Sequence, residues 1–157
     1  MLIKRGFNLG VLLLILFLLV GCAGGGITDP DEIGIHAIAD SIKTAIETKS
    51  VNMFMSNISL DYSDSEGGTY NSIYAMAQNM ISEIEAAEEM AGSSGVNLTI
   101  NSSISNLVVV GSTANSDLKI TISAKVLFFT VYSEDITFET IFQKEGNDWK
   151  IISMMEM

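Results

Sequence analysis

The sequence predicts an α+β domain: three N-terminal helices packed on a strongly bent antiparallel sheet of four to five strands. Three observations carry that expectation. Between residues 31 and 90, apolar side chains recur at the 3.6-residue period of amphipathic helices. After Gly95 the period changes to 2, the alternation of half-buried strands. Helices come first and strands after, which is the order of an α+β chain rather than an interleaved α/β one.

Ahead of this domain stands a segment of another kind. Lys4 and Arg5 precede an apolar run from Gly6 to Val20, interrupted only by Asn8. The run is shorter than the roughly 20 apolar residues of a membrane-spanning helix, and it suits a secretory signal. It ends in Leu19-Val20-Gly21-Cys22, whose last residue is the only cysteine. This stretch resembles the lipobox of bacterial lipoproteins. The resemblance implies cleavage between Gly21 and Cys22, and a diacylglycerol on the Cys22 thiol with further acylation of the new amine. Two or three acyl chains make a stable anchor where one holds only marginally. The expected organisation is a signal peptide over 1–21, a flexible tether over 22–30 and a domain over 31–157. The expected location is the bacterial cell envelope. With two membranes that means the outer membrane or its periplasmic face, otherwise the outer face of the cell membrane. Lipidation leaves no thiol for a disulfide, so the core alone holds the domain.

Without Lys4 and Arg5 the chain keeps six lysines, no arginine and 19 acidic residues, a formal charge of −13 against −11 for the whole sequence. So acidic a chain argues against a nucleic-acid partner, because phosphate binding needs a basic patch. It argues equally against attraction to anionic lipid, which leaves the lipid on Cys22 as the membrane partner.

The tether contains Gly24-Gly25-Gly26 and the only proline, Pro30. Asp29 or Asp31 can cap the first helix. Ile35, Ile38, Ala39, Ile42, Ala45 and Ile46 form its buried face, opposite His36, Asp40, Lys43 and Glu47. Val51, Phe54, Met55 and Ile58 predict a short second helix. The polar loop Ser63–Thr69 offers oxygens from Asp61, Ser63, Ser65 and Glu66, but its spacing misses the glycine and final glutamate of a calcium loop. A connecting loop without metal is expected. Ile73, Ala77, Met80, Ile81, Ile84 and Ala87 mark a third helix over about 70–90. Glu83, Glu85, Glu88 and Glu89 crowd its C-terminal end and oppose the helix dipole, which predicts fraying or a cation there.

In the strand half, Val96, Leu98 and Ile100 alternate with polar residues, and Leu107–Val110 is a second apolar run before Gly111 and a polar turn reaching Ser116. Leu118, Ile120, Ile122, Ala124, Val126 and Phe128 then share a face opposite Lys119, Thr121, Ser123 and Lys125. At Leu127, Phe129 and Val131 the outer face also turns apolar, which predicts a bulge, a bend or cover on both faces. Ser133-Glu134-Asp135 reads as a turn. Ile136, Phe138, Thr140 and Phe142 form the next inner face, and Glu145–Asp148 turns the chain into Trp149, Ile151 and Ser153.

Phe54-Met55-Ser56 through Leu60-Asp61-Tyr62, and Asn147-Asp148-Trp149-Lys150-Ile151 at the last turn, resemble segments of the nuclear transport factor 2-like (SnoaL-like, cystatin-like) superfamily. The likeness covers about residues 31–155. It implies a cone-shaped sheet around the helices with a cavity at the wide end. It also implies a choice, because the superfamily holds isomerases, cyclases and dehydratases as well as binding domains without chemistry. Its enzymes place Asp, His or Tyr inside the cone. The inward positions predicted here carry no such group. Asp61, Tyr132 and Glu134 are the exceptions to inspect, with Thr140 and Trp149 as further pocket candidates. The expected function is a non-enzymatic binding or accessory domain, without cofactor, for a small apolar ligand or a protein partner. The alternatives are a SnoaL-like isomerase or dehydratase, or a structural component of an envelope complex.

Overall fold

The computed structural model describes residues 29–92, 96–126 and 129–157. Cys22, Gly21 and the rest of the signal and tether up to residue 28 lie outside them. Helix α1 spans Pro30–Glu47 and α2 spans Val51–Met55. Helix α3 spans Tyr70–Gly92. Strands β1 (Val96–Val110), β2 (Thr113–Val126), β3 (Phe129–Glu145) and β4 (Asp148–Glu156) complete the order. They form one antiparallel sheet in sequence order. Three helices on a four-stranded open antiparallel sheet is the α+β architecture that the change of period predicts.

Helix α1 starts where the sequence permits it. Asp29 caps it, its side chain accepting from the Asp31 N–H at 2.9 Å, and Pro30 opens the first turn, where its missing N–H costs nothing. Pro30 therefore belongs to the helix and not to the tether. All six residues of the expected buried face are buried. The second helix is shorter than its apolar spacing suggests. Ile58 leaves it and makes a parallel bridge to Ile151, with Ser59 N–H donating to the Ile151 carbonyl at 2.9 Å and Ile151 N–H to the Asn57 carbonyl at 2.8 Å. This segment covers the free edge of β4, which would otherwise present unpaired backbone groups.

In the polar loop the organising residue is Asp64, not the four oxygens singled out from sequence. Its carboxylate accepts from Gly68 N–H at 2.7 Å and Glu66 N–H at 3.0 Å. A Cβ on Gly68 would fall 2.1 Å from that carboxylate, so the turn requires glycine there. At the acidic end of α3, Glu88 meets a cation, Lys49 Nζ at 2.5 Å.

The sheet departs from the simple alternation in three places, each a bulge. In β1, Asn106 takes a left-handed backbone (φ 54°), and residues 106–107 together interrupt the pairing with β2. That irregularity joins the two apolar runs into one 15-residue strand, so there are four strands and not five. The turn before β2 is confined to Gly111-Ser112, and Ser116 is a buried strand residue. In β3, Val131 is the extra residue, because Ala124 pairs with Tyr132 and Lys125 with Thr130. The expected irregularity of this region is thus a bulge. The β2–β3 reversal, however, falls between Val126 and Phe129, which pair with each other. Ser133, Glu134 and Asp135 are strand residues opposite Ser123, Ile122 and Thr121. They read as a turn because all three are polar. Asp135 in fact binds the outer-face residues Lys119 (2.7 Å) and Thr121 (2.7 Å). In β4, Ile152 is the extra residue, since Ile141 pairs with Ser153 and Phe142 with Ile151. This last bulge exchanges the faces beyond it. Met154, not Ser153, is buried on the inner face. The side chains of Leu127, Phe129 and Val131 lie outside the described residues.

Candidate functional site

Two ends of the inner face differ in what fills them. At the closed end, by the β3–β4 hairpin, Phe142, Ile151 and Trp149 are buried, with Trp149 against the start of α1. The Trp149 indole N–H donates to Asp31 Oδ1 at 3.1 Å, and Lys144 forms an ion pair with the same carboxylate. Those two donors, Lys144 foremost, hold the Asp31 carboxyl below its ordinary value. Trp149 passes so close to α1 that a Cβ on Gly34 would stand 3.0 Å from its ring. Tyr62 is buried beside β4. Its hydroxyl accepts from Met154 N–H at 3.0 Å and offers its one proton to Asp64 Oδ2 (3.1 Å) or the Met154 carbonyl (3.2 Å). Burial pushes the phenol up to about 12.

Further along the inner face, α3 and the sheet enclose a cavity of about 250 Å³. Helix α3 contributes Met76, Met80 and Glu83, at the i, i+4, i+7 spacing of one stripe. The stripe beside it, Ile73, Ala77 and Ile84, is buried in the core. The sheet contributes Leu118, Ile120 and Ile122 from β2, Ile136 and Phe138 from β3, and Met154 and Glu156 from β4. Ile42 and Phe54 close the remaining side. The lining is apolar except for Glu83 and Glu156, both solvent-exposed. Glu156 reaches this face because the Ile152 bulge pairs it with Phe138.

The residues singled out from sequence fall in four different places. Tyr132 and Glu134 share the inner face by alternation, opposite Ala124 and Ile122, and are hydrogen-bonded to each other. They lie past the cavity lining, and Tyr132 is 51% exposed. The Glu134 carboxylate, accepting the phenol proton, raises Tyr132 above its ordinary value. Thr140 is fully buried, with its hydroxyl on the Phe138 carbonyl at 3.2 Å. Trp149 belongs to the closed end. Asp61 is exposed, next to the buried Tyr62, with its backbone N–H on Ser59 Oγ at 3.0 Å. Thus only the Tyr132–Glu134 pair comes together, and none of the five lines the cavity. The two carboxylates that do line it, Glu83 and Glu156, escape the sequence reading. Helical spacing from Met76 and Met80 marks Glu83. For Glu156 the sequence carries no signal, since strict alternation from Trp149 and Ile151 puts it on the outer face. Among the described residues no group of three or more His, Cys, Asp or Glu is arranged to hold a metal ion.

No protein-family model and no curated protein matches the sequence. Solved structures do match the fold. A nuclear transport factor 2-like protein with a cystatin-like fold from Novosphingobium aromaticivorans aligns over 96% of this chain and 90% of its own, with a TM-score of 0.55 and 13% identity. Two cystatin-like structures of unknown function from Nostoc punctiforme also align. One covers 83% of this chain and 78% of its own (TM-score 0.52, 17% identity), the other 84% and 93% (TM-score 0.51, 13% identity). At these identities the likeness shows the fold: nuclear transport factor 2-like, cystatin-like.

Proposed function

We propose that this chain is a bacterial envelope lipoprotein, anchored through lipid on Cys22, whose domain holds a small apolar ligand in the cavity between α3 and the sheet. The single observation that supports the binding role is the cavity itself. It has apolar walls and an open mouth, and three of its lining residues are methionines. Methionine side chains are flexible and polarizable, suited to a surface that adapts to its occupant. Its volume falls just short of the roughly 300–1,000 Å³ of drug-sized ligand pockets, so the occupant is small.

A binding role is favoured over an isomerase or dehydratase because general acid–base work relies on burial to tune a carboxylate. Glu83 and Glu156 are instead exposed at the mouth.

Native mass spectrometry of the purified protein tests the binding role. A co-purifying small molecule, released on unfolding, supports it, while a cavity that stays empty and excludes apolar probes overturns it. The anchor is tested separately by Cys22→Ser, which should abolish lipid labelling and free the protein from membranes. Unchanged membrane association would sink that part alone.

A further inference from the structure

The cavity combines apolar walls with a mouth of one charge. Of its lining residues only Glu83 and Glu156 are ionisable, and they come from opposite walls, α3 and β4. Among the described residues neither is in an ion pair. No lysine or histidine lines the cavity. Two aromatic rings, Phe54 and Phe138, are also in the lining.

We propose that the ligand is a cationic amphiphile, with a compact apolar body inside the cavity and an ammonium group at the mouth between Glu83 and Glu156. The proposal rests on the cavity being a ligand site. Burial of the apolar body supplies affinity that does not depend on charge. The carboxylates then sort ligands by their head group. An ammonium gains two opposite charges beside a low-dielectric wall, next to the ring of Phe138, the strand partner of Glu156. A carboxylate head such as that of a fatty acid meets two like charges, within the field of a strongly acidic chain.

A matched set of probes separates the two contributions: adamantylamine, adamantanol and adamantane carboxylate share one cage and differ in head-group charge. Calorimetric titration into the full-length protein in lipid nanodiscs, with empty nanodiscs as blank, reads their affinities. The amine should bind about tenfold more tightly than the alcohol, a difference within reach of two exposed ion pairs. The carboxylate should bind weakest. High salt should erode the preference for the amine. In the Glu83→Gln, Glu156→Gln double variant, the amine and alcohol should become equal while alcohol binding persists. Equal binding of all three probes by the unaltered protein, or an amine preference that survives the double substitution, overturns the charge assignment and leaves the cavity as a site. Absence of binding by any probe overturns the cavity reading and the charge assignment together.

Discussion

The closed and open ends of the inner face are built from the same strands, yet they treat polar groups in opposite ways. At the closed end the polar atoms of Trp149, Tyr62, Asp31 and Asp64 have partners within the protein. They fasten α1 and the Asp64 loop to the last two strands. At the open end the carboxylates of Glu83 and Glu156 face solvent across an apolar cavity, and three flexible methionines stand in its lining beside Phe54 and Phe138. The contrast amounts to a division of labour. Cooperative stability is expected to concentrate at the closed end, where these groups are paired. Among the described residues the Ser116 hydroxyl is the one buried side-chain group without a partner. The open end, with exposed carboxylates and flexible side chains, is expected to contribute less to stability.

The largest test of this division is Phe142→Ala. Phe142 is fully buried where β3 meets the bulge of β4. Its truncation should cost about 3–5 kcal/mol in denaturant unfolding, enough to unfold a marginal domain. A loss below about 1 kcal/mol would mean that the closed end does not carry the stability. Tyr62→Phe comes next. It leaves the Met154 N–H without its acceptor, at about 1–3 kcal/mol. It also has a pH signature. The phenol sits near 12 in the folded protein against an ordinary value of 10.0. The folded state thus favours the protonated form, and that contribution is complete below pH 10 and lost as pH rises toward 12. Alkaline titration of stability should show this step in the parent protein and a shallower one in Tyr62→Phe. Identical profiles would mean that Tyr62 does not fasten the loop to β4.

The two ends are not equally legible in the sequence. The α1 stripe from Ile35 to Ile46 is readable because a helix keeps its period whatever it packs against, and all six positions are buried. The inner positions Leu118, Ile120, Thr140 and Phe142 are readable for the same reason, within unbroken alternation. Legibility fails at the bulges. An inserted residue reverses the parity of the strand beyond it. In the sequence, the apolar outer face at Leu127, Phe129 and Val131 signals the irregularity of β3, and Asn106 tolerates the left-handed backbone of β1, but nothing at Ile152 announces the insertion in β4. The mouth of the cavity lies beyond the Ile152 bulge. Hence alternation places Ser153 inward and passes over Glu156, a residue of that mouth. Ser133-Glu134-Asp135 misleads in another way. Turn composition is only a correlation, and a polar run also suits a stretch of strand exposed on both faces, as Ser133, Glu134 and Asp135 are.

Smaller effects should separate the ends further. Lys144 and Trp149 hold the Asp31 carboxyl below its ordinary 3.8. A lowered carboxylate stabilises the fold above that value, and the contribution is lost as pH falls through the lowered one. Asp31→Asn should therefore make the acid loss of stability below about pH 4 shallower, as read by chemical unfolding across that range. An unchanged acid profile would show that the α1–β4 fastening works through packing of Trp149 alone.

The smallest stability effect is expected at the open end. Met76 lines the cavity from α3 and is 37% exposed. Its truncation to alanine removes little buried surface and improves helix propensity slightly, so the net change should stay within about 1 kcal/mol. The same substitution widens the mouth and removes part of the wall that an apolar ligand would touch. Binding of adamantylamine should weaken severalfold although unfolding is nearly unaltered. Phe142→Ala predicts the opposite pairing, a large loss of stability with no direct loss of ligand contact. If Met76→Ala unfolds the domain as readily as Phe142→Ala, the two ends are one cooperative core and the cavity is a packing defect within it. If Met76→Ala leaves both stability and binding unchanged, α3 forms no working wall of the site. Only separation of the two properties, stability at one end and binding at the other, keeps the division between them.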